Sequence, residues 1–268
     1  MSVRLKPFFC YYGGKWRAAP RYPAPEHNTI IEPFAGAAGY ATCYPDRKVV
    51  LVEKDPMIAG LWRYLTHVTP KEIMSIPAEV PGMVDDLAIC EEARWLVGFW
   101  CNKGTASPCK SASKWMRSGT RPNSFWGSTI RERIALQVEA IQHWQVIEGS
   151  YDQAPDVPAT WFVDPPYQDM GKYYRHRKVD YEQLATWCKT REGQVMVCEQ
   201  QGAGWLPFKP FATIRATPGT HGRSFSTEVL WTNSKGLQVP SDVGLGSPLA
   251  TSLSALHLFQ PETVNSIG

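Results

Sequence analysis

Short apolar runs closed by an acid, a proline or a glycine alternate along the chain with stretches in which apolar residues recur every three or four positions. The runs are Thr29-Ile30-Ile31, Lys48 to Val52, Val146-Ile147, Trp161-Phe162-Val163 and Gln194 to Cys198, followed by Pro207 to Thr217 and Thr227 to Thr232. Runs of this character bounded by turn formers predict short strands. Helical spacing predicts a helix capped by Asp55 and started by Pro56, running through Leu61, Trp62 and Leu65. A second is expected over Asp85–Trp100. A third covers Ser128–Trp144, with Ile130, Ile134, Val138 and Ile141 on one face. Asp180 is placed to cap a fourth through Leu184 and Trp187, with Glu182 helping in its first turn. Strands alternating with helices indicate an α/β fold built on an open sheet.

Two stretches break the alternation. Thr69 to Met83 is punctuated by prolines and is expected to leave the sheet. Cys101 to Gly127 is polar and basic, and rich in Ser, Gly and Asn; loops this long are functional or disordered. Beyond Asn233 the chain has few charges and reads as an irregular tail.

At 268 residues, 43% hydrophobic and 20% charged, the chain has room for one large domain with an inserted subdomain, or for two small ones. No apolar run is long enough to span a bilayer and the amino terminus lacks a signal-peptide core, so the expectation is a cytoplasmic protein with no membrane partner. Seven cysteines without a C-x-x-C pair suggest reduced, mostly buried thiols and no metal site. The net charge of +3 says little, but its distribution says more. From Ala93 to Arg131 there is no acid against seven bases, namely Arg94, Lys103, Lys110, Lys114, Arg117, Arg121 and Arg131. With Trp115, Phe125 and Trp126 interleaved, the segment suits phosphate contact and base stacking, although a solvated basic loop has the same composition.

The chemistry concentrates at Trp161 to Tyr167. Pro165 and Pro166 cannot donate to a ladder, so the strand must stop, leaving Asp164 and Tyr167 at a stiff corner. Open α/β sheets place their ligands at such strand ends. A carboxylate and a proline carbonyl can both accept hydrogen bonds from an exocyclic amine, while a tyrosine ring stacks on the attached base. A corner that merely ends a strand, with Asp164 capping the turn, is the alternative.

Earlier in the chain, Tyr11-Tyr12-Gly13-Gly14-Lys15 joins aromatics to a flexible turn and a cation; it lacks P-loop spacing. Glu32-Pro33-Phe34-Ala35-Gly36-Ala37-Ala38-Gly39 follows a strand with small residues that let backbone approach a nucleoside, or that simply pack closely. Glu53, 17 residues past Gly36, stands where an acid binds ribose hydroxyls in βαβ units. Tyr151 can stack on an adenine or belong to the core. Gln168 to Lys178, with Lys172 and Arg175, reads as a loop closing over a site. His221 reads as a loop or DNA-facing residue without a catalytic role.

Taken in order, Tyr11-Tyr12-Gly13-Gly14-Lys15, Glu32-Pro33-Phe34-Ala35-Gly36, Glu53, Asp164-Pro165-Pro166-Tyr167 and Glu228 to Asn233 resemble the Dam-type (D12 class) DNA adenine N6-methyltransferases of phages and prophages. The resemblance implies a Rossmann-like S-adenosylmethionine-dependent methyltransferase sheet with helices on both faces. Residues 1–67 and 146–233 would form this catalytic domain, 68–145 a small, mostly helical DNA-recognition insert, and 234–268 the tail. It also implies S-adenosyl-L-methionine as cofactor, with Tyr11 and Lys15 beside it, Phe34, Ala35 and Gly36 on its methionine side and Glu53 on its ribose. Asp164 and the Pro165 carbonyl would grip the target amine, and Tyr167 would stack on a base flipped out of DNA. Lys103, Lys110, Lys114, Arg117, Arg121, Trp126, Lys172 and Arg175 are the expected DNA contacts. The chain departs from the family's Phe-x-Gly-x-Gly pattern at Ala38, which the turn accommodates without change only if φ is negative there.

Overall fold

The computed structural model describes residues 3–120, 122–168, 174–176, 178–215 and 225–234. Arg121, Lys172, the turn carrying His221 and the tail beyond Ser234 lie outside them. The predicted runs become β1 (Thr29–Glu32), β2 (Lys48–Glu53), β3 (Gln145–Glu148), β4 (Ala159–Val163), β5 (Gly193–Gln200), β6 (Lys209–Arg215) and β7 (Phe225–Thr232). Among the described residues they make one seven-stranded sheet, in the order β3-β2-β1-β4-β5-β7-β6. The first five strands pair in parallel, while β7 runs antiparallel to both β5 and β6. Pro210, which cannot donate, lies on β6 at the sheet's edge, where that defect is tolerated.

Strand alternation divides the apolar residues between two faces. Ile30, Leu51, Phe162, Met196 and Cys198 face one cluster, while Ile31, Val50, Val52, Trp161, Val163, Val195 and Val197 face the other. The first face is covered by α1 (Pro56–His67) through Ile58, Leu61, Trp62 and Leu65, and beyond it by α3 (Glu91–Cys101) and α5 (Ser128–Ala135). Helix α2 (Pro70–Ser75) adds Ile73 to the same cluster, and α4 (Lys114–Arg117) lies in the basic segment. The second face is covered by α6 (Tyr181–Lys189) through Leu184, Ala185 and Cys188. The molecule is thus a mixed α/β fold with a mostly parallel sheet and helices on both sides. Among the described residues the segment 68–145 has no separate core: Ile73, Val84, Leu96, Phe99, Trp100 and Ile130 join the first-face cluster.

Asp55 caps α1 by accepting from Met57 N at 3.0 Å, and Asp180 caps α6 by accepting from Glu182 N and Gln183 N. Two helices are shorter than their periodicity predicts. The expected helix over Asp85–Trp100 begins only at Glu91, because the Asp86 carboxylate turns back to accept from Met83 N and Leu87 is extended at ψ 129°. The expected helix over Ser128–Trp144 ends at Ala135. There the Gln137 side chain accepts from Lys6 N and donates to Lys6 O, pinning the chain to the amino-terminal segment. A 3-10 turn, Val138–Ile141, carries on the apolar stripe, so Ile130, Ile134, Val138 and Ile141 are all buried.

All seven cysteines are free; Cys101, Cys188 and Cys198 are buried and Cys90 is exposed. Among the described residues no helix is long and apolar enough to cross a membrane.

The chain winds outward from β1 through β2 to β3, then returns to lay β4 on the other side of β1. The direction of winding therefore reverses between β1 and β4. A crevice opens at the carboxyl ends of strands at such a point. Phe34 and Gly36 follow β1, and Asp164 follows β4, so the sequence motifs meet there.

Candidate functional site

The wall after β1 is a turn in which two glycines are required. Gly36 has φ +44°, and a Cβ there would stand 3.3 Å from the Tyr11 ring. A Cβ on Gly39 would come within 2.6 Å of Trp16 N and 2.9 Å of Lys15 C, so this glycine lets the Lys15 loop lie directly on the turn. Between them Ala38 has φ +47° and is fully buried, the one non-glycine residue with positive φ among the described residues. The departure at Ala38 thus leaves the turn left-handed and places a strained alanine in it. Alanine in this region costs about 1–2 kcal/mol. Changing it to glycine relieves that cost, but forfeits about 0.8 kcal/mol of methyl burial and about 0.5–1 kcal/mol of unfolded-chain entropy. Ala38→Gly is therefore expected to leave stability within about 1 kcal/mol, measured by urea unfolding.

Lys15 stands at the centre of the crevice, 8% exposed. Its ammonium donates to Gly13 O at 3.2 Å and pairs with Asp164 Oδ1 at 2.8 Å and Glu228 Oε1 at 3.2 Å. Burial works against the charge, but the two carboxylates outweigh it and hold the ammonium above the usual lysine range. The Asp164 side chain is 20% exposed and lines the crevice, with Oδ1 turned inward to Lys15. Burial pushes its carboxyl up and Lys15 pulls it back, leaving it above the ordinary aspartate value. The corner after β4 is pinned on both sides. Tyr181 O–H donates to Pro166 O at 2.6 Å, and Gln168 N donates to Glu199 Oε2 at 3.4 Å.

The crevice encloses a cavity of about 310 Å³, at the small end of the range for ligand sites. Tyr11, Phe34, Ala35 and Gly36 line one part of it, with Glu53, Tyr151, Asp164 and Pro166 around the rest. Phe34 stacks on Tyr151 at 5.5 Å between ring centroids, and Tyr151 also meets Trp187 edge-on at 5.1 Å. Glu53 accepts from Gly36 N and Asp55 N, both at 2.9 Å, and so ties the β1 turn to the end of β2. Burial raises its carboxyl pKa. Glu32, at 2% exposure, accepts from Ala41 N at 2.6 Å, and burial pushes its carboxyl up to about 8. Tyr174 O–H donates to Tyr12 O at 3.1 Å, and exposed Arg175 and His176 add basic groups to the wall.

The predicted cofactor residues Tyr11, Lys15, Phe34, Ala35, Gly36, Glu53 and Tyr151 thus surround one cavity with Asp164. One expectation, the stacking role of Trp126, is corrected. Tyr167 is outside the cavity lining. Its hydroxyl donates to Glu228 Oε1 at 2.8 Å and its ring faces the Lys15 ammonium at 4.7 Å, so it braces the corner. Trp126 is 3% exposed and its indole N–H donates to Pro77 O at 2.8 Å, so it is a core residue and cannot stack on a base. Pro165 is buried beside Asp164 and is also outside the lining.

In the basic segment Lys103, Lys110, Lys114 and Arg117 are exposed, as is Trp115 at 60%. Arg94 and Arg131 instead donate to the carbonyls of Leu87 and Ile76. The residue that sequence reasoning left without a role is Glu228, 5% exposed on β7. Its signal is an acid inside an apolar strand, followed directly by Val229, Leu230 and Trp231.

No family model matches the sequence, and no curated protein matches it. Among solved structures the chain is similar to a conserved hypothetical protein of Streptococcus pyogenes, at 12% identity over 75% of this chain and 84% of that one. The TM-score is 0.30, too low to support any inference about fold or function.

Proposed function

We propose that the protein transfers a methyl group from S-adenosyl-L-methionine to the exocyclic N6 amine of adenine in DNA, acting on a base turned out of the duplex. The observation that carries this reading is the placement of Asp164. Its carboxylate lines the same cavity as Phe34, Gly36 and Glu53, at the reversal of strand order, with one oxygen held by Lys15.

The residues present fit the cofactor. The turn lines the cavity with the small residues Ala35, Gly36, Ala37 and Gly39, as a nucleoside pocket requires. Tyr11, Phe34 and Tyr151 offer aromatic faces, and Glu53 and Asp164 offer negative charge to a cation. Phe34, Ala35 and Gly36 would hold the methionine side, Tyr11 and Tyr151 the ring systems, and Glu53 the ribose hydroxyls through its remaining lone pairs. When bound, the cofactor supplies an electrophilic methyl group on a sulfonium.

The chain's own work is alignment and electrostatics. An aromatic amine is a weak nucleophile because its lone pair is delocalised into the ring. The Asp164 carboxylate and a proline carbonyl of the same corner accept its two hydrogens and favour a tetrahedral nitrogen. The new N–C bond leaves one proton surplus on nitrogen, and Asp164 is the acceptor for it. Exposed Lys103, Lys110, Lys114 and Arg117 would contact phosphates, with Arg175 closer to the cavity.

The test is transfer of a labelled methyl group from S-adenosylmethionine in parallel reactions with DNA, RNA and a mixed protein acceptor. Label is expected in DNA. Label in RNA or protein alone, or in no acceptor, contradicts the proposal.

A further inference from the structure

Glu228 is a costly residue for the fold to keep. A carboxylate taken out of water costs several kcal/mol unless it is paired and hydrogen-bonded. Nothing in β7 calls for one, since its neighbours Val229 and Leu230 are buried and apolar. The side chain is nonetheless fully engaged. Tyr22 O–H donates to Oε2 at 2.8 Å, Tyr167 O–H donates to Oε1 at 2.8 Å, and Lys15 Nζ stands 3.2 Å from Oε1. Its surroundings are fixed as well. A bulge in β6 between Pro210 and Ala212, opposite Val229 and Glu228, accommodates Phe211, whose ring stacks on Tyr22 at 4.5 Å.

Lys15 donates a hydrogen bond to Gly13 O in its own loop and forms ion pairs with Asp164 after β4 and Glu228 on β7, so that three separate segments hold the ammonium. Three legs define a point in space, whereas two would leave the ammonium free to pivot. The charges matter too. One ammonium shared between two carboxylates does not neutralise either. If Asp164 had Lys15 to itself, it would be a weaker acceptor for an incoming amine.

We propose that Glu228 is a positioning residue for the transfer reaction, acting through Lys15. It fixes the ammonium that orients Asp164, and by taking a share of that charge it keeps the Asp164 carboxylate a strong acceptor. The proposal rests on the methyl-transfer reading above and adds a residue to its machinery.

The test compares wild type with Glu228→Gln, Glu228→Asp, Lys15→Met and the Lys15→Met/Glu228→Gln double variant. For each, kcat, KM for DNA, the Kd of S-adenosylmethionine and a thermal melt are measured. Glu228→Gln keeps an acceptor for a tyrosine but loses the charge; it is expected to lower kcat roughly 10- to 100-fold, as loss of an orienting partner does, with cofactor Kd changed less than about 3-fold. Glu228→Asp, which retains the charge, is expected to recover part of the loss. Because Glu228 acts through Lys15, the double variant is expected to be no slower than Lys15→Met alone. Wild-type kcat in Glu228→Gln overturns the proposal, and so do losses that multiply in the double variant. If Lys15→Met does not fold, the Gln and Asp variants decide. A wild-type protein inert on every acceptor overturns the transfer reading and this proposal together; an active wild type with an indifferent Glu228→Gln overturns this proposal alone.

Discussion

Asp164→Ala is expected to lower methyl transfer by about 10²- to 10³-fold, the scale of losing one group aimed at the reacting centre. Binding of S-adenosylmethionine is expected to weaken far less than transfer, since Asp164 is one of several groups offered to it and Glu53, the aromatic residues and the turn are untouched. The fold tolerates the change because Lys15 keeps Glu228 and Gly13 O as partners, so no buried ammonium is orphaned. Asp164→Asn preserves the shape and one acceptor without the charge, and should fall between the two. Single-turnover kinetics with calorimetric cofactor titration separate the effects. Alanine and wild-type proteins of equal turnover would falsify the role given to Asp164.

The second large effect concerns stability and pH at Glu32. Burial raises this carboxyl from 4.5 to about 8 in the folded state. Between those values the folded protein keeps a proton that the unfolded chain has released, so the folded state binds more protons and stability falls as pH rises through the window. Below it the carboxyl is neutral in both states and costs nothing. Above it the fold carries the full penalty of a buried anion. Glu32→Gln retains an acceptor for Ala41 N and has no proton to lose. The variant is expected to match wild type near pH 4.5 and to be more stable by on the order of 3–5 kcal/mol at pH 8.5, from about 1.4 kcal/mol per pKa unit. Thermal melts across pH 4.5 to 8.5 read this as two curves that diverge. Parallel curves would show that Glu32 is ionised throughout.

What could be read from the sequence was local. Trp161 to Tyr167 declares a strand and its stop because apolar bulk and two prolines are adjacent. Asp55 and Asp180 announce their helices because a cap bonds backbone two or three residues away. Phe34, Glu53 and Asp164 converge because each ends a strand, and parallel strands end on one edge. What could not be read depends on partners far along the chain. Gln137 ends a helix by pairing with Lys6, 131 positions away. Trp126 resembles a stacking residue until Pro77 O takes its N–H. Tyr167 and Lys15 acquire their geometry from Glu228, which reaches them only because β7 is inserted antiparallel between β5 and β6. The positive φ of Ala38 is likewise set by packing, since alanine by itself prefers negative φ.

In the proposed reaction a carboxylate braced by a buried lysine grips the amine of an everted adenine beside a methyl donor. Mass analysis of nucleosides digested from DNA treated with the protein and S-adenosylmethionine tests it most directly. N6-methyldeoxyadenosine is expected from wild type and none from Asp164→Ala; methylation confined to cytosine, or an unmodified digest from wild type, would overturn the proposed reaction.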